Sequence, residues 1–413
     1  MNPLPSRLPL VGTTIFTVMS RLANEHGAIN LSQGFPDFSP PPLLLERVAH
    51  HMATGANQYP PMAGAQPLRA AIAEKLETCY GARYDVESEI TVTAGATQAL
   101  FTAIAACVRP GDEVIVFAPV YDSYLPSIAL QGGTARVINL LPPAFRPDWQ
   151  EVAAAIGPRT RMIIMNTPHN PTGTVWTADD MRQLAALVRD TDIVLLGDEV
   201  YEHIVFADSP TGGRHESLAC YPELRERSLV VSSFGKTFHI TGWKIAYCAA
   251  PAALMAEFRK AHQFIVFTVH HPSQLALADF LRAEPGFATG LAAFYQAKRD
   301  FFRQQLAGSR FDLLPSDGTY FQLARYDRIN SMSDTEFVRW LTIEKGVAAI
   351  PVSAFMPSTG RPERACAPPW GAANECERGG LLWPDGSDHG LIRFCFAKHE
   401  STLAAAAEKL RGI

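Results

Sequence analysis

Residues 228–237 read Ser-Leu-Val-Val-Ser-Ser-Phe-Gly-Lys-Thr, an apolar run that breaks at once into a glycine turn carrying a lysine. Residues 192–201, Asp-Ile-Val-Leu-Leu-Gly-Asp-Glu-Val-Tyr, follow the same plan, ending on acids instead. Short β-rich apolar runs with polar turns behind them are the pattern of strands buried on both faces. Working outward, strand-like runs recur at 90–93, 113–117, 161–165 and 245–249. Helical patterns lie between them at 96–108, 122–131 and 177–189, the last opening on Thr177 as a helix cap. Alternation of this kind predicts an α/β fold with a mainly parallel sheet covered by helices.

The two ends read differently. Residues 1–45 are proline-rich and predict an irregular arm. Beyond 290, helical patterns at 294–306, 334–344 and 401–410 alternate with strand-like 319–323 and 391–396, predicting a smaller α+β domain. The expected division is 1–45 as an arm joined to part of the small domain, 46–289 as the large domain and 290–413 as the small one. Within the last, 356–390 is rich in Pro, Gly, Cys and Trp and has no period. It exceeds the roughly 12–15 residues beyond which a structureless loop is unusual in a compact domain, and it reads as a surface insertion in preference to a lid.

With 413 residues the chain is too long for one ordinary core. Its 36 basic and 41 acidic residues leave a net charge of −5 without a basic stripe, which argues against nucleic acid and anionic membrane as partners. Seven cysteines are scattered without a Cys-x-x-Cys pair, the usage of reduced thiols rather than of a disulfide framework or a zinc site. No stretch approaches a membrane span or the apolar core of a signal peptide, so a cytoplasmic protein without a metal is expected.

In an open parallel sheet, ligands bind beyond the carboxyl ends of the strands, where these turns converge. Thr93-Ala94-Gly95-Ala96-Thr97 runs from a strand through glycine into a helix, whose first amides suit a phosphate; a glycine before a helix is also often a plain turn. Asn166-Thr167-Pro168-His169-Asn170-Pro171-Thr172-Gly173 is stiffer than a turn requires, which suggests that Asn170 is being aimed, with His169 solvated or structural. Asp198, closing a buried strand, either caps the next helix or needs a positive partner such as a protonated ring nitrogen. Gly235-Lys236-Thr237 mimics the end of a phosphate loop, but position 230 is not the glycine which that motif demands. A lysine kept near a buried site instead has the lowered pKa that attack on an aldehyde needs. Lys244 is a second cation suited to phosphate. Arg393, alone among apolar neighbours at 391–396, either snorkels from an edge or grips a carboxylate with its planar fork.

Taken in order, Ile29 to Phe38 (INLSQGFPDF), ANQYPPMAG at 56–64, ITVTAGATQALF at 90–101, NTPHNPTG at 166–173, GDEVYEH at 197–203, SSFGKTFHITGWKIAYC at 232–248 and LIRFCFAKHE at 391–400 resemble the class I/II aminotransferases. The resemblance spans nearly the whole chain and is strongest toward the methionine aminotransferase and kynurenine aminotransferase (glutamine transaminase K) branch. It implies fold type I of the pyridoxal-phosphate-dependent transferases. Lys236 is then the lysine that holds pyridoxal 5'-phosphate as a Schiff base and moves the substrate proton, Asp198 pairs with the ring nitrogen, and Asn170 and Tyr201 bind the ring oxygen. Ala96, Thr97, Ser233 and Lys244 cradle the phosphate, and Tyr121 stacks on the ring. Gly34, Asn170 and Arg393 hold the substrate carboxylate, and Phe16 lines the side-chain pocket. Tyr59 reaches the cofactor of a second subunit, which implies a homodimer with shared sites.

The implied activity moves the amino group of methionine, and also of aromatic amino acids, glutamine or kynurenine, to a 2-oxo acid in two half-reactions. A cysteine-conjugate β-lyase is the alternative within the same chemistry. A non-catalytic regulator module is the alternative outside it, disfavoured because the pattern begins by residue 29 and leaves no room for a DNA-binding domain. The 356–390 stretch is longer than that family's loop at this point, which bears on substrate access and not on the chemistry.

Overall fold

A computed structural model describes residues 4–9, 11–357, 387 and 389–413. Thirteen strands, numbered along the chain, fall into three sheets among these residues. The largest contains β2 (Ile90–Thr93), β3 (Glu113–Ala118), β4 (Thr134–Asn139), β5 (Thr160–Asn166), β6 (Val194–Asp198), β7 (Ser228–Ser233) and β8 (Ala246–Ala249). Their order is β2-β8-β7-β6-β5-β3-β4, with β8 antiparallel to both neighbours and the other pairs parallel. The expected α/β fold with a mainly parallel sheet is what the chain adopts. The central strands are apolar because helices cover both faces, leaving Ile163, Leu195 and Val231 fully buried.

The parallel strands bring their carboxyl ends to one side. Asn166 and Asp198 are register partners there, and Ser233 and Thr93 both pair with Ala246. The sequence expectation missed β4, whose first four residues alternate between exposed and half-buried at the sheet edge before the buried Ile138, and which so lacks a continuous apolar run. The helix expected at 122–131 begins at Tyr124.

A second, antiparallel sheet has the order β12-β13-β10-β9, built from β9 (Asp312–Leu313), β10 (Phe321–Arg325), β12 (Ile350–Pro351) and β13 (Leu391–Cys395). Strand β10 starts later than the expected 319, because Thr319 takes a left-handed conformation at φ 65°.

The expectation of an irregular arm at 1–45 is corrected. Thr14 caps a helix, Ile15–Glu25, whose Ile15, Val18, Met19 and Leu22 are buried at helical spacing. Strand β1 (Ile29–Asn30) then pairs in parallel with β11 (Val347–Ala348). This segment shares one apolar core with Phe337, Leu341, Phe394 and Leu403 from the far end of the chain. Proline content concealed a helix whose stability comes from a partner distant in sequence. The 356–390 stretch lies almost wholly outside the described residues.

Candidate active site

A cleft of about 180 Å³ opens at the carboxyl ends of β2, β5, β6 and β7, lined by Gly95, Ala96, Thr97, Tyr121, Asn166, Asn170, Asp198, Tyr201, Ser233, Lys236 and Lys244. Residues from distant turns converge there because parallel strands deliver every turn to the same rim. At one end the helix Ala96–Cys107 begins without a capping side chain, so the amides of Ala96 and Thr97 have no partner within the helix. Gly95 sits at φ 80°, a conformation that favours glycine, and Lys244 lies directly against this helix start, its Cε 2.9 Å from where a Cβ would stand. Ser233 caps the short turn carrying Lys236 by accepting from the Gly235 amide at 3.2 Å. Amides, a hydroxyl and an ammonium together form an anion cradle.

At the other end Asp198 is buried, and its Oδ2 accepts a hydrogen bond from Tyr124 Oη at 2.5 Å. Its Oδ1 is buried without a hydrogen-bond partner. Burial lifts this carboxyl to about 6; the Lys236 charge offsets this only in part, and among the described residues no cation hydrogen-bonds to Asp198. Lys236 instead donates to Tyr320 Oη at 2.9 Å and to the Gly34 carbonyl at 3.2 Å. Burial, reinforced by the charges of Arg393 and Lys244, lowers its amine to about 8. Such an amine reaches its neutral form around pH 8, far more readily than an ordinary lysine, as a nucleophile and proton shuttle requires.

Arg393 lies in β13 between two neighbouring strands and is 1% exposed, so it does not snorkel from a sheet edge. Its fork donates to Asn170 Oδ1 at 2.6 Å and to the Ser32 carbonyl at 3.0 Å, while Nε is buried without a partner. Phe321, Phe355 and Phe16 surround the guanidinium at 3.9, 5.1 and 5.5 Å from their ring centres. Asn170 is placed by the segment behind it: Asn166 Oδ1 accepts from the Asn170 amide, and Asn166 Nδ2 donates to the Asp198 carbonyl, each at 2.8 Å.

The geometry thus assembles Lys236, Asp198, Asn170, Tyr201, Tyr121, Ala96, Thr97, Ser233, Lys244, Gly34, Arg393 and Phe16 around one region. Tyr59 stands apart, 80% exposed and in ring contact with Phe267. His169 is buried, not solvated; its ring bonds to Thr172, and burial holds it near 4. Sequence reasoning missed Tyr124, Tyr320 and Asn166. Tyr124 carried a weak signal, one helical turn from Tyr121; Tyr320 carried none.

The donor set fits pyridoxal phosphate, with an anion cradle for its phosphate, an amine for its aldehyde and an unpartnered buried carboxylate oxygen for its protonated ring nitrogen. Among the described residues no cluster of His, Cys, Asp and Glu could hold a metal ion, and no helix is long and apolar enough to cross a membrane.

Residues 26–371 match the model of the family "Aminotransferase class I and II". The chain is 53% identical to the methionine aminotransferase of Escherichia coli over 99% of both proteins. It is 39% identical to a probable N-succinyldiaminopimelate aminotransferase of Mycobacterium tuberculosis over 98% of this chain and 97% of that one. A solved E. coli structure, for which a methionine aminotransferase function is identified, superposes with a TM-score of 0.90 at 53% identity and full coverage of both chains.

Proposed function

The chain belongs to the class I and II aminotransferases, enzymes that use pyridoxal phosphate, and we propose that it takes its amino group from methionine. The observation that carries this reading is the setting of Arg393, a buried carboxylate-binding fork walled by Phe16, Phe321 and Phe355. A planar guanidinium binds an α-carboxylate through two parallel hydrogen bonds. The apolar rings around it favour a donor whose side chain is uncharged, such as methionine or an aromatic amino acid. Identity to the E. coli methionine aminotransferase supports the same choice.

Bound pyridoxal phosphate supplies an electron sink for the carbanion at the substrate Cα. The residues of this chain do the rest. Ala96, Thr97, Ser233 and Lys244 would hold the phosphate; Asp198, as a carboxylate, would keep a proton on the ring nitrogen; Asn170 and Tyr201 would donate to the ring oxygen, and Tyr121 would line the ring. Arg393, with Asn170 and the Gly34 backbone, orients the donor so that its Cα–H faces the Lys236 amine. That amine would take the proton from the donor Cα and carry it as the ammonium until it is returned.

Assembly is part of the proposal. Tyr59, Phe264 and Phe267 are 80%, 90% and 40% exposed, and Tyr59 and Phe267 are in ring contact. Exposed aromatics of this size mark an interaction face. A second copy covering it would bring Tyr59 to the neighbouring cofactor.

The test is a panel of amino donors mixed with the holoenzyme, following the cofactor absorbance and the oxo acid formed. Methionine should convert the cofactor to its amine form and yield its 2-oxo acid. An unchanged spectrum with methionine, alongside conversion by N-succinyldiaminopimelate, would overturn the donor assignment. Lys236→Ala should lower turnover by about 10⁴-fold or more and abolish covalent attachment of the cofactor.

A further inference from the structure

We infer that Tyr320, together with the Gly34 carbonyl, seats the amine of Lys236, making Tyr320 a positioning residue for the reacting nitrogen. The inference rests on the reading of Lys236 as that nitrogen. Lys236 Nζ lies 2.9 Å from Tyr320 Oη and 3.2 Å from the Gly34 carbonyl oxygen. Tyr320 Oη donates its own proton to the same carbonyl at 2.5 Å, so toward the lysine its oxygen accepts. A neutral amine has two N–H bonds and one lone pair. Nζ, Tyr320 Oη and the Gly34 oxygen form a closed triangle, so the N–H side of the amine is drawn toward these two fixed acceptors and the lone pair is left to face away from them.

The seat is rigid on both sides. Tyr320 is fully buried, and its ring packs against Tyr201, Tyr295 and Phe321 at centroid distances of 5.1, 5.5 and 4.9 Å. The Gly34 segment is held by main-chain and side-chain bonds to the far end of the chain. Leu31 O accepts from the Cys395 amide at 2.8 Å, Phe35 O from Lys398 Nζ at 2.8 Å, and Asp37 from the His399 amide at 2.6 Å. A Cβ at Gly34 would fall 2.9 Å from the Phe321 ring, so a side chain there would have to displace the ring that packs against Tyr320. A four-carbon side chain otherwise spreads over many rotamers, and a misplaced reacting atom is slow.

The alternative is that Tyr320 merely fills the core, and Tyr320→Phe separates the two. The full-length chain is stripped of cofactor, and the rate at which Lys236 captures added pyridoxal phosphate is measured across pH, with borohydride trapping and peptide mass to locate the adduct. The plateau rate should fall about tenfold. The midpoint of the profile should move to lower pH, because the ammonium form loses an acceptor while staying buried. Loosened packing would admit water and move the midpoint up; an upward shift, or an unchanged profile, overturns the inference.

If Tyr320→Phe folds poorly, 3-fluorotyrosine at position 320 keeps the ring and weakens the oxygen as an acceptor. A smaller downward shift is then expected, and its absence counts against the seat. A double-mutant cycle closes the argument. In a Lys236→Ala background, Tyr320→Phe should leave the Kd for non-covalent pyridoxal phosphate within about twofold, and a larger loss would mean that Tyr320 acts other than through the lysine. Should Lys236→Ala itself retain normal turnover, the reading of Lys236 fails, an outcome distinct from any of these.

Discussion

Asp198 and Glu202 are buried carboxylates on one turn of chain, 5% and 6% exposed, and the protein treats them in opposite ways. Glu202 takes hydrogen bonds from Lys75, Tyr80 and Ser232, and Lys75 also donates to Tyr247 Oη at 2.9 Å. Burial pushes the Glu202 carboxyl up, but the Lys75 ammonium together with His203 and the Ser232 hydroxyl outweighs it and holds the group well below the usual carboxylate range. Asp198 has one phenol on Oδ2 and no hydrogen-bond partner on Oδ1, so burial wins and its carboxyl rises to about 6. Burial is the same in both places; the difference is whether a cation of the chain bonds directly to the carboxylate. A buried charge satisfied from within is a structural joint. One left incomplete costs stability and is kept where a ligand completes it.

Three substitutions break or sharpen that contrast. Lys75→Met has the largest expected effect on stability, because it leaves Glu202 buried with no cation. It should cost about 3–5 kcal/mol in chemical denaturation. The depressed carboxyl means that the Glu202 contribution is present above the ordinary carboxylate range and is lost as pH falls through the folded value. A loss as small as that of an exposed pair would show that the joint is not structural.

Asp198→Asn should act the other way on the cofactor-free chain, raising its stability at pH 7 by about 1–3 kcal/mol while lowering turnover at least a hundredfold. The folded carboxyl is raised from 3.8 to about 6, so the folded chain holds this proton more tightly than the unfolded chain does. The stability gap between wild type and variant is therefore smallest below pH 3.8, widens from there to about 6, and is level above. Melting curves across that range measure it, and a gap independent of pH would contradict the assignment of an unpaired acid.

Ser232→Ala, the mildest, removes one hydroxyl from Glu202 while Lys75 and Tyr80 remain. A cost of about 1–2 kcal/mol is expected in the same denaturation assay. A cost equal to that of Lys75→Met would mean that hydrogen bonding, and not the counter-charge, secures the group.

The contrast also marks the limit of sequence reading. Lys236, Asp198 and Asn170 stood out because each follows an apolar run or sits between prolines, which are local signals. The Lys75–Glu202 joint had no such mark, since Lys75 lies on a helix, Gln66–Tyr80, with nothing in its neighbours pointing to Glu202. The helix Ile15–Glu25 was overlooked for a related reason: proline content governed the reading, while its burial depends on Phe337 and Leu341 at the other end of the chain.

What the sequence determined by itself was the sheet, the turns that carry chemistry and the membership they imply, because strand runs and turn residues obey short-range sterics and burial periodicity. The tertiary structure alone decided which groups meet. Tyr124 reaches Asp198, Tyr320 and Gly34 close on Lys236, and three phenylalanines box Arg393. These contacts join residues tens to hundreds of positions apart, and their geometry is set by how the strands of two sheets and the N-terminal segment pack. No window of sequence contains that information, because packing energy is summed over the whole core and not along the chain.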